Sequence, residues 1–139
     1  MIQRMQSLWL LLGAVAAFFT IRFPFYSGNK LGTDKATNFQ YLTAASGMLI
    51  LCVTIAIGIM AAVAIFLYKN RKLQMRLALG ALILSLLNLL LYYNASREYL
   101  IGSYALTCLI AISIPVFLVL AIRGIYKDQR LIKSLDRLR

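Results

Sequence analysis

The sequence predicts an all-α integral membrane protein, with four transmembrane helices in an antiparallel up-down bundle and a basic amphipathic helix on the cytoplasmic side. Two observations lead to this fold class. Of the 139 residues 62% are hydrophobic and only 14% are charged, against roughly half and a quarter in soluble domains. The apolar residues also form four long runs without a charged side chain. We therefore expect one domain, residues 1–139, whose main solvent is a bilayer.

The apolar runs predict the transmembrane spans. Because about 20 helical residues cross a bilayer core, the second and fourth runs are ample, while the first extends past Arg22 only if that side chain reaches the interface. Continuous runs without alternation favour helices over barrel strands. The predicted spans are 7–26, 41–68, 77–93 and 99–122.

The connections and the charges predict the topology. The loop at 23–40 contains Pro24, Gly28 and Gly32 and is expected to form an irregular outer cap. The segment 94–98 is predicted to be a tight turn that makes the third and fourth spans antiparallel neighbours. Lys and Arg number eleven on one side of the spans and four on the other. The excess of positive charge predicts that both termini are cytoplasmic.

The C-terminal segment 123–139 carries a patterned face. At 100° per residue, an arc of roughly 120° holds its basic side chains: Arg123, Lys127, Arg130, Lys133 and Arg137. Asp128 projects from the opposite, apolar arc, and Asp136 lies at the edge of that arc. A carboxylate among acyl chains is unfavourable unless it is paired.

We therefore expect the tail to dock on the basic loop before the third span or on the equivalent basic surface of a partner. The hypothesis is that Asp128, together with Asp136, pairs with Arg71, Lys72 or Arg76 of that loop. The basic face would then remain free for anionic lipid headgroups or for an acidic protein surface.

A polar stripe lies inside the third predicted span. Ser85, Asn88 and Tyr92 are three and four residues apart, so they share one face of a helix. The favoured interpretation is hydrogen bonding to a neighbouring helix, which is how most amides and hydroxyls in spans are used. The alternative is that the stripe lines a path for a solute.

Chemistry-bearing residues are few. The chain has no histidine, and Cys52 and Cys108 lie in apolar runs without a CxxC spacing. All four acids, Asp34, Glu98, Asp128 and Asp136, lie outside the spans. The sequence therefore predicts no catalytic residue, cofactor or metal site. A net charge of +11 would indicate nucleic acid in a soluble protein, but cations that flank apolar runs indicate lipid headgroups instead.

Three segments together resemble a known family: MIQRMQSLWLLL at the start, YKNRKLQMRL in the loop, and the tail IYKDQRLIKSLDRLR. They are similar to an uncharacterised family of small four-span bacterial inner-membrane proteins that is defined as a domain of unknown function. The resemblance implies a bacterial inner-membrane location and four spans, and it supplies no activity. That family more often has an acid where this chain has Gln129, so no charge is transferred there.

The resembling segments all fall on predicted cytoplasmic edges of otherwise generic spans. This placement favours a non-enzymatic accessory or assembly subunit of a larger membrane complex, with protein export or membrane biogenesis machinery as one candidate setting. The alternative is a small oligomeric channel or transporter for a small solute or ion, with Ser85, Asn88 and Tyr92 along its path.

Overall fold

The computed structural model describes residues 2–31 and 37–136, and the side chains of residues 5–30 and 39–131. It is mostly helical, with one small sheet and a short 3-10 turn before the second helix. In chain order the elements are α1 (Ile2–Arg22), β1 (Tyr26–Leu31), β2 (Thr37–Leu42), the 3-10 turn (Ala44–Ser46), α2 (Met48–Phe66), α3 (Arg71–Ser96), β3 (Tyr99–Tyr104) and α4 (Cys108–Asp136).

Four helices are long and apolar enough to cross a membrane, as the sequence predicted. Their bounds differ from the predicted spans: α2 begins at Met48 instead of residue 41, and α3 begins at Arg71 instead of residue 77. Arg, Lys, Leu, Gln and Met are all good helix formers. The basic segment that we expected to be a loop is therefore the first turns of α3.

The helices pack through small side chains. α1 contacts α4 most extensively, α2 packs against α1 and α3, and α3 also packs against α4. Trp9 stacks on Phe117 with ring centroids 5.9 Å apart, and Thr107 donates to the carbonyl of Pro24. Eight alanines lie in the main core, which lets the helices approach closely: Ala14, Ala16, Ala17, Ala61, Ala64, Ala78, Ala81 and Ala121.

The connections form an antiparallel sheet of order β2-β1-β3, so two predictions were wrong. The segment 23–40 contains a hairpin instead of an irregular cap. Residues 99–104 form β3 instead of the start of a span, and α4 begins at Cys108. The run Tyr-Leu-Ile-Gly-Ser-Tyr has no charge and so resembles a span in composition. Its tyrosines and isoleucine favour strand, and its backbone pairs with β1.

Two glycines face each other where β1 and β3 pair. A Cβ at Gly28 would lie 2.5 Å from the carbonyl oxygen of Ile101 and 2.7 Å from the Cα of Gly102. The strands therefore approach too closely for any side chain at this pair. The ring of Tyr26 packs beside this contact, at 5.4 Å from the ring of Tyr99 and 5.1 Å from that of Tyr104.

The tail is not a separate helix. Residues 123–136 continue α4 without a break. Gly124 in this segment lies at a contact between helices and not at a turn. A Cβ at Gly124 would lie 2.8 Å from Cγ of Gln6. The missing side chain thus lets the start of α1 pack on α4, which keeps the segment part of the bundle. We call the end of the helices with residues 67–76 and 122–131 the basic end, and the opposite end the sheet end.

Candidate functional site

Asp128 lies at the basic end, where α4 meets the first turn of α3. Its carboxylate is buried, with 7% of the residue exposed, and Oδ2 lies 3.8 Å from Nη1 of Arg71. The next residue, Gln129, donates from Nε2 to the carbonyl of Arg71 at 3.2 Å. Of the three cations considered for Asp128, the structure brings Arg71 to it. Two neighbouring residues of α4 therefore hold the first turn of α3.

The remaining residues of the predicted tail site lie apart from this contact. Lys72 and Arg76 of α3 are exposed. On α4, the exposed cations are Arg123, Lys127 and Arg130. Lys133 and Asp136 belong to α4, but their side chains, like all of Arg137, lie outside the part that the structure describes. The described cations of the basic face are thus open to a ligand, while Asp128 faces inward.

Gln6 is a buried polar residue that the sequence analysis missed. Only 5% of it is exposed, it packs on Gly124, and its Nε2 has no hydrogen-bond partner among the described residues. The signal that could have identified it is an amide side chain close to the apolar residues Met5 and Leu8, at the start of a long apolar run.

The stripe of α3 is buried between helices. Nδ2 of Asn88 donates to Oγ1 of Thr54 on α2 at 3.0 Å, and Thr54 in turn donates to the carbonyl of Ile50 at 2.7 Å. Ser85 instead donates to the carbonyl of Leu82 in its own helix at 2.7 Å. Asn88 is therefore the member of the stripe that joins two helices by a side-chain hydrogen bond.

Tyr92 closes this cluster toward the sheet end. Its ring stacks on that of Phe25, with centroids 4.7 Å apart. Its hydroxyl faces the hydroxyls of Thr20 and Thr54 without a hydrogen bond of good geometry. Residues of α1, α2 and α3 thus form one buried polar cluster. The sequence analysis missed both threonines, because a single hydroxyl in an apolar run carries no spacing signal.

The sheet presents apolar side chains on its surface. Six residues of β2, β3 and the following turn are each more than half exposed: Phe39, Tyr41, Leu100, Ile101, Tyr104 and Leu106. Beside them, Nζ of Lys30 lies 2.5 Å from Oε2 of Glu98. This hydrogen bond raises the pKa of Lys30 above its usual value. The sequence analysis missed the surface because it assigned residues 99–104 to a span.

One known protein family matches nearly the whole chain. The sequence model of a domain of unknown function, DUF4293, matches residues 2–138. The chain belongs to the DUF4293 family. No characterised protein and no solved structure is detectably similar to it. Because the match runs from α1 to the end of α4, the four helices and the sheet are all parts of one DUF4293 domain, and the predicted resemblance to an uncharacterised family is confirmed.

The described part of the DUF4293 domain offers little to a metal ion. Among the residues that the structure describes, no three His, Cys, Asp or Glu side chains come together as a possible metal site. Cys52 is an exposed free thiol and Cys108 is a partly buried one. The features of the described structure that could bind a ligand or a partner are its surfaces: the basic end, the sheet and the grooves between helices.

Proposed function

We propose that this DUF4293 protein is a non-enzymatic protein of the bacterial inner membrane and acts as an accessory or assembly subunit of a larger membrane complex. Machinery for protein export or membrane biogenesis is one candidate setting. The observation that carries the proposal is the exposed apolar sheet, which lies beyond the helices that would cross the membrane. An exposed apolar surface of this kind is typical of a site that another protein covers.

The proposed topology is an up-down bundle with both termini in the cytoplasm. Contacts support it, since Gln6 near the start of α1 meets Gly124 late in α4, whereas Pro24 after α1 meets Thr107 before α4. Charge supports the orientation, because the described cations concentrate at the basic end and only a few, such as Lys30 and Arg97, lie at the sheet end. By the positive-inside rule the sheet then faces the outside.

The exposed apolar side chains of the sheet are better suited to contact another protein than to contact the surface of the bilayer. Contiguous apolar patches outside a core mark interaction sites, and aromatic side chains such as Phe39 and Tyr41 are typical interface anchors. The sheet order also leaves one edge of β2 and one edge of β3 unpaired within the described chain. Such backbone edges can be paired by an added strand of another protein, whereas lipid cannot pair them.

The channel alternative has less support from the geometry. Ser85, Asn88 and Tyr92 are buried within a single chain, so a conduit between copies of the chain would not be lined by them. Inside the chain they are closed in by Thr54 and Phe25. Most of the rest of the described interior is a packed core of alanine and larger apolar side chains.

Extraction of the tagged full chain in mild detergent tests the proposal, with the particle mass and the stoichiometry of every co-purifying protein measured. We expect a larger membrane protein at fixed stoichiometry, lost in Tyr41→Ser on the sheet and kept in Tyr68→Ser at the basic end. The two tyrosines form a matched pair, because 60% and 55% of them are exposed. A pure homo-oligomer would favour the channel alternative, and a partner lost equally in both variants would contradict docking on the sheet.

A further inference from the structure

We propose that the seam between α3 and α4 is a binding site for an anionic phospholipid, with the phosphate at Arg123 and Lys127 and one acyl chain lying along the apolar part of the seam. Two grooves follow this seam, one at the basic end and one deeper between the same two helices. The site is independent of the partner proposed for the sheet, which lies at the other end of the helices.

The groove at the basic end combines apolar and cationic walls. This open groove has a volume of about 440 Å³, within the roughly 300–1,000 Å³ typical of small-molecule sites. Its lining residues are Met75 of α3 and Ile122, Arg123, Gly124, Tyr126 and Lys127 of α4. Apolar carbon atoms lie here beside the guanidinium group of Arg123 and the ammonium group of Lys127. This combination matches the glycerol and phosphate region of a lipid, where the hydrocarbon ends and the charge begins.

The two cations of this groove are available to a ligand. Arg123 and Lys127 are one helical turn apart and both are exposed. Among the side chains that the structure describes, neither forms a salt bridge, and the nearby acid Asp128 lies instead at Arg71. An anion at this groove therefore meets two positive charges that no described carboxylate competes for.

The deeper groove is apolar. It encloses about 330 Å³ and is lined by Leu82 and Leu86 of α3 and by Pro115, Val116, Val119 and Leu120 of α4. On α3, Met75, Leu82 and Leu86 are seven and four residues apart, so they share one face of the helix. On α4, Ile122, Val119 and Val116 recede from the basic groove in steps of three. The two grooves are therefore successive parts of one seam.

The length of the seam fits one lipid leaflet. Lys127 and Val116 are eleven residues apart, which is about 16 Å along a helix that rises about 1.5 Å per residue. Half of a hydrocarbon core of about 30 Å is about 15 Å. A lipid whose phosphate sits at Lys127 would thus end its acyl chain near Pro115. The order of charge and apolar wall along the seam also matches the order of headgroup and chain in a lipid.

Lipid retention by the purified full chain tests the headgroup site. The protein is exposed to phosphatidylglycerol or to phosphatidylcholine with identical chains, and native mass spectrometry counts the retained molecules. We expect preferential retention of phosphatidylglycerol, weakened roughly fivefold by each cation removed in Arg123→Gln with Lys127→Gln. The matched control is Lys69→Gln with Arg76→Gln, which removes two exposed cations of the same end outside the lining and should change retention less than about twofold.

Two adjacent leucines test the apolar part of the site. Leu86 lines the seam and Leu87 does not, although 51% and 45% of them are exposed. We expect Leu86→Trp to fill the groove and weaken phosphatidylglycerol retention, and Leu87→Trp to leave it unchanged. Val116→Leu is a smaller filling of the same groove for the case that Leu86→Trp does not fold.

Three results would overturn the proposal. The first is equal retention of the two lipids by the unmodified protein. The second is an equal loss in the two pairs of charge variants, which would reduce the effect to overall charge. The third is a protein segment, in place of lipid, whose retention is lost in Leu86→Trp and kept in Leu87→Trp, which would assign the seam to a partner helix.

Discussion

The ring of Phe25 lies on the ring of Tyr92, with centroids 4.7 Å apart and planes inclined by 22°. The backbone of Phe25 is also tied on both sides, since its N–H donates to the carbonyl of Leu42 at 2.7 Å and its carbonyl accepts from Ala105 at 3.1 Å. One residue therefore connects the hairpin, the segment before α4, and α3. Phe25 anchors the sheet to the helices.

The stacked pair predicts two different outcomes at Tyr92. Tyr92→Ala and Phe25→Ala should each lower the free energy of unfolding by about 3 kcal/mol, because each leaves a large cavity. Tyr92→Phe should be close to neutral, since the hydroxyl has no well-formed hydrogen bond to lose. Denaturant unfolding in detergent measures all three. A Tyr92→Phe cost as large as that of Tyr92→Ala would show that the hydroxyl, and not the stack, carries the contact.

The hydrogen bond from Asn88 to Thr54 predicts a measurable coupling between α3 and α2. A double-mutant cycle of Asn88→Ala and Thr54→Ala should give about 0.6 kcal/mol, the average for side-chain hydrogen bonds between helices in a membrane protein. Ser85→Ala combined with Thr54→Ala is the control, because Ser85 donates within its own helix. Equal coupling in both cycles would mean that the effect is not specific to this bond.

The Asp128 and Arg71 contact predicts a coupling at the basic end. Asp128→Asn should destabilise the protein by about 1 kcal/mol, a value between those of exposed and buried ion pairs, because 25% of the Arg71 side chain remains exposed. Adding Arg71→Met should cost less in this background than alone. Lys72→Met serves as the control and should be additive with Asp128→Asn. Additivity of Arg71→Met as well would exclude the ion pair as the cause.

The glycine pair of the sheet predicts a strong position effect for alanine. Gly28→Ala should lower the melting temperature clearly, because its Cβ would overlap backbone atoms of β3, which cannot move aside as a flexible side chain would. Gly47→Ala should change it little, since a Cβ there would lie 3.5 Å from the nearest atom of Ile50, an ordinary contact. Thermal unfolding in detergent compares the two. Similar losses at both positions would contradict the close approach of the strands.

The ion pair of Lys30 and Glu98 predicts a small effect that disappears in alkali. The pKa of Lys30 is raised in the folded protein, by the hydrogen bond to Glu98 first. The stabilisation is therefore fully present at neutral pH and is lost as the pH rises through the raised pKa. It should amount to less than about 1 kcal/mol, because 41% of the Lys30 side chain and 60% of the Glu98 side chain are exposed, so that water screens the pair. Glu98→Gln should remove this pH dependence and its sensitivity to salt, and a pH dependence that persists in the variant would assign it to another group.

The number of helices long and apolar enough to cross a membrane could be predicted from the sequence, because uncharged runs of this length have few other stable forms in lipid. The bounds of the helices could not be predicted, because the charged start of α3 consists of good helix formers and the uncharged Tyr99–Tyr104 run contains residues that favour a strand. Whether residues 99–104 enter the bilayer depends on pairing with β1, about 70 residues away along the chain. Composition within a window does not contain that information.

The candidate site could be predicted only in part, because the sequence limits which residues can pair but does not show how the helices pack. A carboxylate on an apolar arc requires a cation, which narrowed the partner of Asp128 to three residues of one loop. The choice of Arg71 depends on how α4 is rotated against its neighbours, and Gln6 at Gly124 helps to set that rotation. Thr20 and Thr54 gave no sequence signal, because each acts only through its position beside Tyr92.

The origin of the three strands constrains how the molecule can move. β1 and β2 come from the connection between α1 and α2, whereas β3 comes from the connection between α3 and α4. The sheet therefore joins the α1–α2 hairpin to the α3–α4 hairpin at one end. At the other end residues 67–70 join the hairpins along the chain, and Gln6 of α1 packs on Gly124 of α4. Splaying of the hairpins about the sheet would therefore have to separate Gln6 from Gly124 first, at the end that bears the positive charges.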